Sequence, residues 1–193
     1  MISDFMNATV KLMYEESINL LKQQDIEFEK GLTLDELTLI EEIYKIQFPK
    51  SLREFLMIAL PISKGFYNWR NIMQNNIDFI MQMIMRPIKD IDNMAEEVYW
   101  CDGWGDEPEN ELIIAKEVRK RLNKAPKLLP IYAHRYMPML LNDNPPIVYI
   151  HGIDIIYYGE SLEDYLKIEF DKKRQEEIDF KNIKYIPFWS DIM

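Results

Sequence analysis

The spacing of apolar residues changes once along this chain, from helical periodicity to short strand-like runs. Before residue 124, apolar side chains recur every three or four positions in successive segments. After Lys127, four short runs rich in β-branched and aromatic residues are separated by turn-forming residues. Helices gathered first and strands gathered later predict an α+β domain. We expect an antiparallel β-sheet of about four to six strands, a common sheet size, packed against several α-helices.

Amphipathic patterns predict seven helices. In the second of them, Leu34, Leu37, Ile40 and Tyr44 share one face and are expected to be buried. Pro87 is expected to end the Met-rich fourth helix, because proline removes an interior hydrogen bond. The predicted helices cover residues 7–24, 33–47, 49–60, 71–85, 90–99, 111–123 and a last segment that begins at 161.

Two helix starts carry a recognisable capping pattern. Thr33 and Glu36 have the spacing of a capping box, in which each side chain bonds the backbone N–H of the other residue. Ser161 is followed by Asp164 three positions later, and its hydroxyl is expected to cap the last helix. Each pattern therefore predicts where a helix begins.

The strand-like runs are expected to form one antiparallel sheet with short connections. Pro130 and Pro138 indicate edge strands or bulges, since proline cannot donate a ladder hydrogen bond. Residues 142–146 are predicted to be a turn, residues 151–154 a hairpin loop, and residues 25–31 a connector between helices. The predicted strands are residues 128–133, 136–141, 147–150 and 155–158.

A chain of 193 residues is long enough for one domain with a real hydrophobic core. We expect a single domain over residues 1–170, followed by a C-terminal tail over 171–193. The tail is charged at first and then aromatic, with Tyr185, Phe188 and Trp189. Aromatic residues in a tail predict that it packs back on the domain or on a second copy of the chain.

Charge and composition restrict the kind of partner. The net charge is −10, from 33 acids and 23 bases. Phosphate backbones repel such a chain, so nucleic-acid binding is disfavoured and a basic partner is favoured. The alternative is that the acidity only keeps the protein soluble. Residues 1–9 do not resemble a secretion signal, no apolar run could cross a membrane, and Cys101 is the single cysteine; the cytoplasm is the expected location.

Few residues could support catalysis. A thiol enzyme would need Cys101 beside His134 or His151, and an orienting partner for that histidine. The carboxylate of Asp102 next to the thiol disfavours the thiolate that such a nucleophile requires. The two histidines have no compact metal-ligand spacing, so no metal or other cofactor is predicted. A thiol-dependent enzyme is therefore the weakest of the functional interpretations.

The loop at residues 102–111 is the predicted partner-binding surface. It carries an aromatic residue, Trp104, between two glycines, and an aromatic side chain rimmed by charge is typical of an interface anchor. Two alternatives remain open: a merely solvated acidic loop, and a Trp104 that packs on the core. If the interface lies elsewhere, the Met-rich helix at 73–85 is the next candidate. The acids predicted to take part with Trp104 are Asp102, Asp106, Glu107, Glu109 and Glu111.

Several separated motifs resemble those of the SUKH superfamily, also called the Smi/Knr family. The first is Phe-Pro-Lys-Ser-Leu-Arg-Glu-Phe-Leu at 48–56, after the helix that starts at Thr33. The second runs from Pro-Ile-Val-Tyr-Ile at 146–150 through Asp-Ile-Ile-Tyr-Tyr-Gly at 154–159 to Ser-Leu-Glu-Asp-Tyr-Leu at 161–166. The segments at 129–131 and 134–138 also resemble bacterial members. The resemblance extends over residues 31–170.

This resemblance implies a function as well as a fold. Bacterial members of the family are mostly immunity proteins, which bind and neutralise toxins such as nucleases and deaminases. The expected partner is therefore a cognate, basic toxin protein, with the chain acting as a monomer or a homodimer and not as an enzyme. Fungal members are regulatory interaction modules, and such a scaffold role without a toxin is the alternative interpretation.

Overall fold

The computed structural model describes residues 2–140 and 144–193, with side chains described at Leu12 and from Tyr14 onward. The helices are α1 (Ile2–Gln23), α2 (Leu34–Tyr44), α3 (Lys50–Ile58), α4 (Gln74–Asn93), α5 (Glu111–Leu122) and α6 (Leu162–Glu169). The strands are β1 (Phe28–Lys30), β2 (Ala59–Pro61), β3 (Leu128–Tyr132), β4 (Arg135–Pro138), β5 (Ile147–His151) and β6 (Asp154–Gly159). The predicted turn at 142–146 lies partly outside the described residues.

The predicted α+β class is confirmed. Strands β3, β4, β5 and β6 form an antiparallel sheet in chain order, and β1 pairs with β2 in a separate antiparallel ribbon. Each strand of the larger sheet follows its neighbour directly, so each connection is a hairpin or a loop between adjacent strands. Pro130 lies in the edge strand β3 beside a register shift, and Pro138 is the last residue of β4. At neither position does the sheet need a backbone N–H, which proline lacks.

The larger sheet is buried on both faces. Neighbouring strand residues belong to different hydrophobic clusters: Met137 and Ile147 to one, Tyr136 and Val148 to the other. The first core joins one sheet face to α1, α2, α3, α6 and the N-terminal half of α4. The second core joins the opposite face to the C-terminal half of α4, to α5 and to residues 186–192. Successive side chains of a strand point to opposite faces of the sheet, which is why neighbouring residues belong to different cores.

Both predicted helix caps are present. The Thr33 hydroxyl accepts the Glu36 N–H at 3.2 Å, and the Glu36 carboxylate accepts the Thr33 N–H at 2.7 Å. The Ser161 hydroxyl accepts the Asp164 N–H at 3.2 Å and starts α6. Within α2, however, Leu34 is 57% exposed, which corrects its predicted burial; the residue lies in the first turn, before the buried stripe of Leu37, Ile40 and Tyr44 begins.

Helix α4 is longer than predicted. Pro87 lies inside it, and the helix ends at Asn93. The predicted stop at Pro87 is therefore wrong, and so is the separate helix at 90–99. Proline in a helix interior costs roughly 3 kcal/mol, but Pro87 is buried on the same face as Ile84 and Ile91, and apolar burial there offsets part of the cost.

The ribbon of β1 and β2 corrects two further predictions. Helix α3 ends at Ile58, and Ala59–Pro61 pairs with Phe28–Lys30 in the segment predicted to be a connector. Arg70 fastens this ribbon to α2, because its guanidinium contacts Glu29 at 2.7 Å and Glu36 at 2.7 Å. This contact holds the pKa of Glu36 at about 2, chiefly through the Arg70 hydrogen bond.

The C-terminal segment, residues 171–193, packs on its own chain. Trp189 is fully buried in the second core and donates its indole N–H to the Pro126 carbonyl at 2.9 Å. Ile186, Phe188 and Ile192 are buried beside it. The predicted domain boundary at 170 stays a prediction.

Candidate partner-binding surface

The acidic loop, residues 102–111, lies in the connection between α4 and α5, and its last residue is the first of α5. It begins with a single 3₁₀ turn, Asp102–Trp104. The Trp104 N–H donates to the Cys101 carbonyl at 2.8 Å, and the Gly105 N–H donates to the Asp102 carbonyl at 3.2 Å. Gly105 has φ +92, a conformation that glycine adopts without steric cost. The buried Trp100 then donates its indole N–H to the Gly105 carbonyl at 2.8 Å. Local hydrogen bonds therefore define the first half of the loop.

Trp104 packs against the second core and is partly buried. Its ring stacks on Phe188 at 6.1 Å and meets the edge of Trp100 at 5.3 Å. The Arg121 guanidinium carbon lies 4.7 Å from the centre of the Trp104 ring, in a cation–π contact. Trp104 therefore packs on the core, which was one of the alternatives to an exposed interface anchor. Its role as an anchor for a partner stays a prediction, and only the exposed part of the indole is left for such a contact.

The acids predicted for the site lie in solvent. Asn110 caps α5 by accepting the Leu112 N–H at 2.9 Å, and Glu111 follows in the first helical turn, where the helix dipole favours a carboxylate. Among the residues that the structure describes, no ion pair joins a loop acid to a base. The exposed carboxylates are those of Asp102, Asp106, Glu107, Glu109 and Glu111.

The acidic loop is the centre of a longer stretch of single charge. Residues 90–115 contain nine acids and no lysine or arginine. Elsewhere the chain has 24 acids and 23 bases, so nearly all of its net charge of −10 comes from this stretch. Asp90 and Asp92 pair with Arg86 and Arg119, at 3.6 Å and 2.9 Å. The sequence prediction missed the acids before residue 102, although the absence of any base between Lys89 and Lys116 could have revealed them.

Exposed apolar side chains flank these acids. Leu112 is 81% exposed and Ile113 is 50% exposed, directly after Glu111 on the first turn of α5. Tyr99, three residues before the loop, is 60% exposed. Apolar side chains beside a charged rim are typical of protein interfaces. The helical pattern assigns Ile114 and Val118 to the core, so Leu112 and Ile113 could have been expected on the outer face of α5.

Of the residues considered for catalysis, the two histidines lie together. The rings of His134 and His151 lie 5.4 Å apart, at the ends of neighbouring strands. Burial is the main cause that lowers the pKa of His134, followed by the charges of Arg86 and His151. Among the described residues, no hydrogen bond or ring contact joins Cys101 to either imidazole. Within the same part of the chain, no group of three or more histidine, cysteine or acidic side chains could hold a metal ion.

A charged pair is enclosed on the other face of the sheet. Arg135 of β4 lies 3.0 Å from the Glu169 carboxylate of α6, and both side chains are mostly buried. The Arg135 guanidinium also lies 4.1 Å from the ring centre of Tyr158 and 5.0 Å from that of Tyr149. Burial raises the pKa of Glu169, while the Arg135 charge opposes this effect. The pair therefore lies enclosed between helix and sheet, at the margin of the first core.

The architecture defines an α+β domain whose four-stranded antiparallel sheet is covered on both faces. Within that class, a family model described as the SMI1 / KNR4 family (SUKH-1) matches residues 31–168, and the chain belongs to this family. The resemblance seen in the sequence motifs is thereby confirmed. None of the curated proteins compared with the chain matches it, and no solved structure does. In the described part of the chain, no helix has the length and apolar character needed to span a membrane.

Proposed function

We propose that this chain is an immunity-type protein that binds a toxin in the cytoplasm and neutralises it by direct contact. The toxin is a protein with a basic, nucleic-acid-gripping surface, such as a nuclease or a deaminase. The observation that carries the proposal is the concentration of nine acids without a base in residues 90–115. Membership of the SMI1 / KNR4 family supports a binding role but does not identify the partner.

Charge complementarity gives the proposal its physical basis. An enzyme that grips phosphates presents lysine and arginine side chains around its site. A surface with one sign of charge attracts an oppositely charged surface during diffusion. This attraction raises the association rate, most strongly at low salt. The exposed carboxylates of the acidic loop can pair with such bases, while Leu112 and Ile113 supply apolar area for close contact. Neutralisation then follows from covering the site.

The proposal assigns no chemistry to the chain. A thiol nucleophile needs a base within hydrogen-bond reach, and among the described residues no hydrogen bond joins Cys101 to either histidine, which supports this. We expect the triple variant Cys101→Ser, His134→Gln, His151→Gln to protect cells as well as the wild type, provided that it folds. A folded triple variant that fails to protect would favour the thiol-enzyme interpretation instead.

The test looks for a toxin domain encoded beside this gene in its native genome and uses that domain. Cells that express this domain should grow only when the chain is co-expressed, and the two purified proteins should form a complex. The variant Asp106→Asn, Glu107→Gln, Glu109→Gln should slow association, with a larger effect at low salt than at high salt. The matched control is Glu15→Gln, Glu27→Gln, Glu42→Gln, which removes the same charge at three exposed positions outside the acidic stretch.

Two outcomes would contradict the proposal. If the neighbouring toxin neither binds the chain nor loses toxicity in its presence, the immunity role is wrong. If both charge variants slow association equally, net charge alone acts, and the acidic loop is not the contact surface.

A further inference from the structure

One carboxylate joins the acidic loop to the C-terminal segment. The indole N–H of Trp104 donates to one oxygen of Asp191 at 3.2 Å, and the Tyr185 hydroxyl donates to the other oxygen at 2.7 Å. Both donors are neutral, and hydrogen bonds to a charged acceptor are stronger than those between neutral groups. Asp191 therefore holds two side chains from segments that are far apart in sequence.

A ring contact also joins the loop to the segment. Phe188 stacks on Trp104 with an interplanar angle of 10°, and Arg121 of α5 also contacts the Trp104 ring. On the loop side, Gly103 and Gly105 flank Trp104, and both glycines are exposed. The Trp104 side chain thus attaches the loop to the C-terminal segment, while the Trp100 indole holds the Gly105 carbonyl separately.

The C-terminal segment itself is firmly held. Ile186, Trp189 and Ile192 are buried, and the Ser190 hydroxyl accepts the Ile186 N–H at 2.8 Å. Ser190 also shares a hydrogen bond of 2.5 Å with the Tyr157 hydroxyl of β6. When the Trp104–Asp191 contact breaks, the loop is therefore the side that moves, because the segment keeps these independent anchors.

We propose that the C-terminal segment is a latch for the acidic loop: Asp191 holds Trp104 down, and its release lets the 3₁₀ turn open while the rest of the fold stays intact. The latched state fixes the positions of the loop carboxylates. Under the proposed function, this preorganises the surface that meets the toxin and reduces the entropy lost on binding. The latch itself does not depend on that function and is tested without any partner.

Cys101 reports on the state of the loop. It is the single cysteine of the chain, it is partly buried, and its carbonyl accepts the Trp104 N–H that opening would release. The rate at which dithionitrobenzoate modifies this thiol under native conditions therefore measures opening. Amide exchange at Trp104 and Gly105 measures the same event at the backbone.

Asp191→Ala should raise both the thiol-modification rate and the exchange rate by about tenfold, the equivalent of about 1.4 kcal/mol. Tyr185→Phe should raise them less, because Asp191 keeps its bond to Trp104. The matched control is Asp179→Ala: Asp179 is an exposed acid of the same segment, and its carboxylate accepts hydrogen bonds from Asn182 at 2.6 Å and from the Lys181 N–H at 3.2 Å, both within the segment. Its backbone N–H donates to Glu160, a bond that alanine keeps. This control should leave both rates unchanged.

Urea unfolding of each variant separates a latch from a general loss of stability. The latch requires the opening rates to rise by more than the fall in global stability accounts for. Unchanged rates in Asp191→Ala would overturn the proposal, and so would rates that follow global unfolding in every variant. Because no toxin is present, these outcomes leave the proposed immunity function to be judged by its own experiment.

Discussion

Arg135 and Glu169 face each other at 3.0 Å between the sheet and α6, with side chains 16% and 14% exposed. Removing one partner of such a pair leaves a buried charge and costs about 3–5 kcal/mol, whereas replacing both with apolar residues is often neutral. We expect Arg135→Met to be strongly destabilising and Arg135→Met, Glu169→Leu to recover most of the loss in urea unfolding. Equal destabilisation of the two variants would show that the Arg135 stacking on tyrosines, and not the pair, matters.

Leu56 tests the first core. It is 3% exposed, and aspartate there would bury an unpaired charge, with a cost of several kcal/mol. We expect Leu56→Asp to lose cooperative thermal unfolding. The matched control is Leu34→Asp: this leucine is 57% exposed in the first turn of α2, where the helix dipole tolerates an acid. A Leu56→Asp variant that melts like the wild type would show that α3 does not pack as described.

Thr33 tests the capping box at the start of α2. Loss of a side-chain cap costs about 1 kcal/mol, and we expect this change in the free energy of unfolding for Thr33→Ala. Thr38→Ala serves as the control, because Thr38 is exposed within the same helix and alanine has the higher helix propensity. It should be neutral or slightly stabilising. If the two variants behave alike in urea unfolding, the cap contributes nothing.

The lowered pKa of His134 leads to a prediction of how stability changes with pH. Burial lowers the pKa of His134 in the folded chain below its ordinary value of 6.5, so the unfolded chain binds a proton more readily. Stability should therefore fall as the pH drops below about 6.5, until the pH reaches the folded pKa. His134→Gln should flatten this part of the profile, measured by urea midpoints between about pH 5.5 and 7.5. His151→Gln should keep most of it, since burial of His134 is the main cause; identical profiles for all three proteins would refute the assignment.

Leu112 separates binding from stability. At 81% exposed it makes little contact within the domain, so Leu112→Ser should change the free energy of unfolding by less than about 0.5 kcal/mol. If the acidic loop meets the toxin, the same variant should weaken the complex by about 1–2 kcal/mol, mainly through faster dissociation. Leu39→Ser, at a leucine 44% exposed on α2, is the control for surface polarity. Equal affinities for all three proteins would place the contact away from α5.

The elements that the sequence predicted well are those with short-range causes. The capping pairs at Thr33 and Ser161 span three residues, and the hairpin at 151–154 needs only a two-residue turn. The antiparallel sheet was predictable because its strands are consecutive. Local hydrogen bonding and periodicity determine such features, so they can be predicted from one sequence.

The features that were missed depend on contacts between distant residues. β1 pairs with β2 across about 30 residues of sequence, and neither three-residue strand is long enough to show a period. Pro87 stays inside α4 because of the core that surrounds it, which no local rule includes. The position of Trp104 depends on Asp191, 87 residues later, so sequence spacing alone left its exposure undecided.

The second core has a consequence for work with fragments of this chain. The family match ends at residue 168. Tyr136 and Val148 of the sheet, however, are buried in the same cluster as Trp189 and Ile186. A polypeptide cut at the edge of the family match would keep every strand of the sheet but would lose the part of the cover on one face that residues 186–192 supply. Such a fragment should aggregate through that face. A fragment made for expression must therefore extend beyond the family match and include residues 186–192.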